Sequence, residues 1–137
     1  MIEATIDLGR AREEAARRDR ERLQGVWKFV SGKREASLLI SGDHYTMHFR
    51  SGDVYVGTFT LDATAKPRAM DLTIDEGPES YRGKKALAIY EFDGDHLIWC
   101  PAEPGRAERQ RAFPPAEDLG ALCIIFRREK NGTPART

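Results

Sequence analysis

From Gly25 onward the chain breaks into eight short apolar-polar segments separated by turn residues, and this rhythm restricts it more than any other feature. Alternation over a handful of residues, bounded by Gly, Asp, Ser or Pro, is the mark of half-buried β-strands. The segments lie at 26–31, 36–40, 44–50, 54–61, 68–75, 84–92, 96–100 and 121–128. Ser41-Gly42-Asp43, Ser51-Gly52-Asp53 and Asp93-Gly94-Asp95 supply tight turns. Asp-Gly pairs suit hairpins because glycine accepts positive φ without steric cost. Brief connections between successive strands predict an antiparallel meander. A twisted sheet of eight strands gains by closing, since closure removes its unpaired edges. The expected fold is all-β: an eight-stranded antiparallel up-and-down barrel with an N-terminal α-helix. An open sandwich is the competing arrangement.

Residues 1–24 read differently. Arg, Glu and Ala dominate, and 10–23 contains neither Gly nor Pro, so a helix is expected there. Glu13 with Arg17 and Glu14 with Arg18 support it at i,i+4 spacing. Its apolar stripe is thin: Leu8, Ala11, Ala15, Ala16 and Leu23. Such a helix is either a solvated arm or a cap on one end of the main domain. The expected organisation is a helical arm at 1–24, a barrel at 25–129 and a flexible tail at 130–137.

Composition excludes some roles. The 22 basic and 22 acidic side chains cancel, so no global field draws in nucleic acid or an anionic membrane. No apolar run approaches the ~18 residues of a membrane helix. The first residues lack the apolar stretch of a secretory signal, which points to the cytoplasm. The two cysteines, Cys100 and Cys123, are too few for a zinc site. Their plain reading is two half-buried reduced thiols, with a disulfide as the alternative in an oxidising compartment.

Strand alternation assigns faces. Tyr45, Met47 and Phe49 share one side of the third segment. Met70, Leu72 and Ile74 share one side of the fifth, Leu97 and Trp99 one side of the seventh, and Leu122, Ile124 and Phe126 one side of the last. In the fourth, Tyr55, Phe59 and Leu61 oppose Val54, Val56 and Thr58. In the sixth, Leu87 and Ile89 oppose Ala88, Tyr90 and Phe92. The inward face of these two cannot be chosen from pattern alone. An aromatic-rich interior describes a solid core and an apolar pocket equally well.

Catalytic signatures are absent: there is no Gly-x-Ser-x-Gly and no glycine-rich phosphate loop. His44 and His48 on one extended strand stand roughly 13 Å apart and cannot share a metal. No metal and no cofactor is therefore expected. Residues 101–120 form an unusually long connection carrying Arg106, Arg109 and Arg111. These arginines either line a carboxylate-binding mouth or pair in solvent with Glu103, Glu108 and Glu117.

Leu23-Gln24-Gly25-Val26-Trp27 resembles the Gly-x-Trp opening of lipocalin-like barrels. In that group the tryptophan closes the narrow end, and a basic residue of the last strand packs over it. Arg127 or Arg128 would fill that place. More specifically, residues 20–129 resemble a bacterial family of uncharacterised lipocalin-like domains of the planctomycete type. The resemblance rests on Leu23-Gln24-Gly25-Val26-Trp27-Lys28, Gly57-Thr58-Phe59-Thr60-Leu61-Asp62, Lys66-Pro67-Arg68-Ala69-Met70-Asp71-Leu72, Ile89-Tyr90-Glu91-Phe92-Asp93-Gly94-Asp95-His96-Leu97, Trp99-Cys100 and Phe126-Arg127-Arg128. The family often has Arg-Pro before a Phe in the last long segment, where this chain has Arg111-Ala112-Phe113-Pro114. Many relatives are exported. The resemblance implies a barrel with a small-molecule cavity and carries over no reaction, ligand or catalytic residue.

Three roles follow as expectations. The leading one is binding of a small, largely apolar molecule inside the barrel, with Tyr45, Met47, Phe49, Met70, Leu72 and Trp99 as lining and Tyr55, Tyr90 and Arg111 as polar handles. The second is an isomerase- or cyclase-type enzyme using the same cavity, with Asp71, Tyr90 and His96 as candidate acid–base groups. The third is an interaction module with a filled barrel, docking a partner or a second copy as a homodimer through the N-terminal helix. Neither nucleic acid nor membrane is expected as a partner.

Overall fold

The computed structural model describes residues 2–114 and 122–129. A helix, α1 (Ile2–Leu23), leads into eight strands: β1 (Gly25–Gly32), β2 (Ala36–Ser41), β3 (His44–Phe49), β4 (Val54–Asp62), β5 (Arg68–Thr73), β6 (Lys85–Asp93), β7 (His96–Pro101) and β8 (Ile124–Arg128). Each strand pairs antiparallel with the next, and β1 pairs with β8, so the sheet closes into an up-and-down barrel. Closure excludes the open sandwich. The ladder between β1 and β8 is irregular between Phe29 and Ser31, where one strand bulges.

The helix fills the arm expected at 1–24 and runs through Gly9, beyond the Gly- and Pro-free stretch 10–23. Gly9 is the one glycine in its first turns, and a single glycine costs only about 1 kcal/mol relative to alanine, too little to stop a helix that continues beyond it. Strand β8 starts at Ile124, whereas the pattern began it at position 121, which lies outside the described residues. So do Glu117 and the tail at 130–137.

Alternation holds where it was legible. Tyr45, Met47 and Phe49 are buried, and their neighbours His44 and His48 are exposed. Strands β4 and β6 turn Tyr55, Gly57 and Phe59, and Ala86, Ala88, Tyr90 and Phe92, towards the interior, as their membership of the central cluster shows for all but the glycine. Gly57 has a steric reason to lack a side chain: a Cβ there would lie 1.8 Å from the Thr73 carbonyl oxygen and 3.2 Å from the Tyr45 ring. The Tyr45 hydroxyl donates to that same carbonyl at 2.9 Å, so β3 reaches over β4 to β5.

One stretch of outer wall is also covered. Ala69, Ile89 and Cys100 are buried although their strand neighbours Met70, Ala88 and Trp99 occupy the inside. The connection after β7 folds back along this wall. Arg109 donates from Nη1 to the Ala88 carbonyl (3.0 Å) and from Nη2 to Asp71 Oδ1 (2.6 Å), and Gln110 Nε2 donates to the Pro101 carbonyl (3.3 Å).

The cysteines require a correction. They form a disulfide, Cys100–Cys123, and are not two reduced thiols. The cause is register. Trp99 pairs with Ile124, so the next residues along the ladder, Cys100 and Cys123, face one another with Cα atoms 4.2 Å apart. The bridge closes the base of the long connection.

Candidate functional site

Antiparallel order places the starts of β1, β3, β5 and β7 and the ends of β2, β4, β6 and β8 at one end of the barrel. The last turn of α1 seals this end. Leu23 is fully buried in the central cluster. The Trp27 indole Nε1 donates to the Leu23 carbonyl at 2.8 Å. Arg128, not Arg127, lies over the Trp27 ring, with its guanidinium carbon 4.4 Å from the centroid. Arg128 also donates to the Gln24 carbonyl at 2.6 Å and to the Arg22 carbonyl, satisfying acceptors that the helix end leaves open. Burial and the nearby Arg22 lower the Arg128 pKa. Arg22 stacks over Phe92 at 4.2 Å. Gln24 donates from Nε2 to the Gly42 carbonyl and accepts from the Gly42 amide, fixing the β2–β3 turn.

Asp19 is the single buried charged residue among those described, at 8% exposed. It accepts from the Tyr90 hydroxyl at 2.7 Å and pairs with Arg68 Nε at 3.4 Å. Burial, and then the bond to Asp19, push the Tyr90 phenol far above its ordinary pKa. Sequence reading missed Asp19 because an acidic residue on a charged helix gives no sign of facing inward.

The opposite end is open. A cavity of about 700 Å³ enters it, within the ~300–1,000 Å³ range of small-molecule sites. Its inner wall is Tyr45, Met47, Leu72, Ile74, Ala86 and Trp99. Its mouth holds Lys33, Arg34, Glu103, Arg106, Glu108 and Arg109 around Phe49, Tyr55 and Tyr81. The aromatics touch in sequence: Phe49 meets Tyr55 edge-on at 5.6 Å and Tyr55 stacks with Tyr81 at 6.5 Å. Arg34 lies 3.9 Å above the Phe49 ring. Burial raises the pKa values of Tyr45 and Tyr55, so both phenols are neutral at physiological pH.

Most polar groups of this end already have partners. Tyr45 is bonded to Thr73, and Tyr81 donates to Glu103 Oε2 at 3.2 Å. Arg106 pairs with Glu103 at 3.7 Å and Arg34 with Asp53 at 3.6 Å. Among the described residues the buried exception is Trp99. It is 6% exposed, and its Nε1 is buried without a hydrogen-bond partner.

The expected ligand residues therefore divide. Tyr45, Met47, Phe49, Tyr55, Leu72 and Trp99 come together around the cavity. Met70 and Tyr90 belong to the packed interior and do not line it. Arg111 borders a separate depression of about 600 Å³ on the outer wall, beside Asp62, Lys66 and Asp71. The acid–base candidates are dispersed. Asp71 points outward into an ion pair with Arg109, Tyr90 is bonded to Asp19 under the helix, and His96 stands beside Asp95 in the β6–β7 hairpin, Nδ1 to Oδ1 3.1 Å. None of the three borders the open-end cavity. Tyr81 and Arg34 were missed because both lie in connections, where strand alternation assigns no face.

Comparison with family models, with curated proteins and with solved structures found no match to this chain. Among the described residues, no helix is long and apolar enough to cross a membrane.

Proposed function

We propose that this lipocalin-like barrel binds a small, largely apolar molecule through its open end. The supporting observation is the pairing of a sealed end with a cavity of about 700 Å³ walled by Tyr45, Met47, Phe49, Leu72 and Trp99. Burying apolar surface against such a wall stabilises a ligand by about 25 cal/mol per Å² before ordering costs are subtracted. The aromatic mouth offers flat surfaces for a ring, and the charged rim keeps the entrance wetted. The acid–base candidates lie elsewhere, which favours binding over turnover in this cavity.

The Cys100–Cys123 bridge is at home in an oxidising compartment, and it weighs against the cytoplasm as the place of work.

Isothermal calorimetry with naphthalene and a dye whose emission rises in apolar surroundings tests the reading. Saturable one-site binding with a negative heat-capacity change is expected. Mutual displacement of the two compounds is expected as well. Absence of binding by both up to their solubility limits would refute it.

A further inference from the structure

The inner wall of the cavity and its mouth differ in what they offer a polar group. Inside, the Tyr45 hydroxyl is spent on the Thr73 carbonyl, and Trp99 Nε1 is enclosed in the wall. The rest of that wall is Met47, Leu72, Ile74 and Ala86. It gives a ligand's oxygen no free side-chain donor, and burying a charge against it would be costly. A ligand therefore enters with its apolar body first and keeps any charged group at the mouth.

The mouth side chains are unevenly committed. Glu103 accepts from Tyr81 through Oε2 and faces Arg106 through Oε1. Arg109 is taken by Asp71 on the outer wall, and Glu35, in the β1–β2 connection, is held by Arg50 at 3.0 Å. Lys33 is exposed at the mouth, and its ammonium has no ion-pair or hydrogen-bond partner among the described residues. Its neighbour Arg34 lies over Phe49 and uses Nη2 alone for its contacts with Ser51 Oγ (3.3 Å) and Asp53 Oδ2 (3.6 Å). Burial raises the Tyr55 pKa and the Arg34 charge opposes that rise, which places the guanidinium near this phenol too. Arginine has five N–H donors in a planar fork, so several remain for a ligand, and the ring beneath holds the fork in place. On the acidic side, Glu108 is the one mouth carboxylate without a partner among the described residues.

We infer that the ligand is an amphipathic monoanion whose apolar body fills the cavity and whose carboxylate is met at the mouth by Lys33 and Arg34. This rests on the binding role proposed above and adds the sign and place of the head group. A carboxylate accepts parallel N–H bonds from a guanidinium, and an adjacent ammonium adds a point charge. A cationic head would meet two repelling neighbours and a single uncommitted acid.

Decanoate, 1-decanol and decylammonium share one chain and differ in the head. Calorimetry on the full chain at low salt should show decanoate binding about tenfold more tightly than decanol, the effect of a charge-assisted bond at a partly exposed site, and decylammonium binding most weakly. Raising the salt from ~20 mM to ~500 mM should remove most of decanoate's advantage. In the double variant Lys33→Gln, Arg34→Gln the ratio of decanoate to decanol affinity should fall to about one. The ratio is the readout, so a variant that loosens the mouth for both ligands still decides. Lys28 and Arg127 are exposed cross-strand partners on the outer wall and do not line the cavity. Lys28→Gln with Arg127→Gln removes the same charge there and should leave the preference for decanoate as it was. Equal affinity for decanoate and decanol in the wild type, tightest binding by decylammonium, or a decanoate preference that survives the mouth variant overturns the inference and leaves the binding role standing. Failure of all three to bind overturns both.

Discussion

The two ends of the barrel are built from similar residues and do opposite things. At the sealed end Trp27 is 1% exposed; at the open end Trp99 is 6% exposed. Burial alone does not tell them apart. What differs is how completely their neighbours satisfy them. Trp27 is bonded to Leu23, covered by Arg128 and ringed by side chains that close the helix end. Trp99 has an unpaired donor buried within the wall, while other parts of the residue line the cavity. A core and a binding site can thus share composition and burial, and the hydrogen-bond inventory is what separates them.

This contrast can be broken most forcefully at the sealed end. Trp27→Ala should lower unfolding free energy by about 3–5 kcal/mol, as large-to-small changes in a packed core do. Urea denaturation measures it, and a loss below ~1 kcal/mol would mean that the end is not tightly packed. At the open end the strongest constraint is covalent. The Cys100–Cys123 bridge spans 23 positions of sequence. Replacing both cysteines by serine should cost about 2–4 kcal/mol by freeing the unfolded chain. The Trp27 indole resonance should not move, because the change is confined to the opposite end. A shift there would show that the two ends are mechanically coupled.

In one respect the ends should behave alike. Tyr90 near the sealed end and Tyr45 near the open one both have phenols whose pKa burial raises. The folded chain keeps these protons above pH ~10, where an unfolded chain releases them. Stability is therefore complete below about pH 10 and falls as pH rises beyond it, by up to ~1.4 kcal/mol per pH unit for each phenol. Chemical denaturation between pH 9 and 12 reads this slope, and Tyr90→Phe should reduce it. A flat profile would contradict the burial of both hydroxyls. The finest comparison applies one substitution at both ends. Trp27→Phe breaks a made hydrogen bond and strands the Leu23 carbonyl, whereas Trp99→Phe breaks none. Trp27→Phe should be the more costly by about 1 kcal/mol. Equal costs would mean that the Trp99 N–H is satisfied after all.

Much of this architecture is legible in the amino-acid order. Period-two alternation at Tyr45, Met47 and Phe49, with turn residues at Gly42 and Gly94, suffices to order the strands, since both signals are local. The partial lining of the cavity follows from the same alternation. What stays hidden depends on contacts distant in sequence. Asp19 looks like any other acid on an Arg/Glu helix until Tyr90, 71 positions on, meets it. Arg109 reads either as a mouth charge or as a solvated partner of the loop glutamates until Asp71 takes it. Ile89 and Cys100 sit on the outward parity of their strands and are buried all the same, because the connection after β7 lies over that wall. The disulfide required the β7–β8 register, which spacing alone does not supply.

The central claim, a sealed packed end opposite an open receptive one, is tested most directly with the methyl groups of two methionines. Met47 lines the cavity, while Met70 is 1% exposed in the interior and does not line it. Titrating naphthalene into protein carrying ¹³C-methyl methionine should shift the Met47 methyl saturably and leave that of Met70 nearly in place. A Met47 methyl that never moves, or a Met70 methyl that moves as far, would contradict the account.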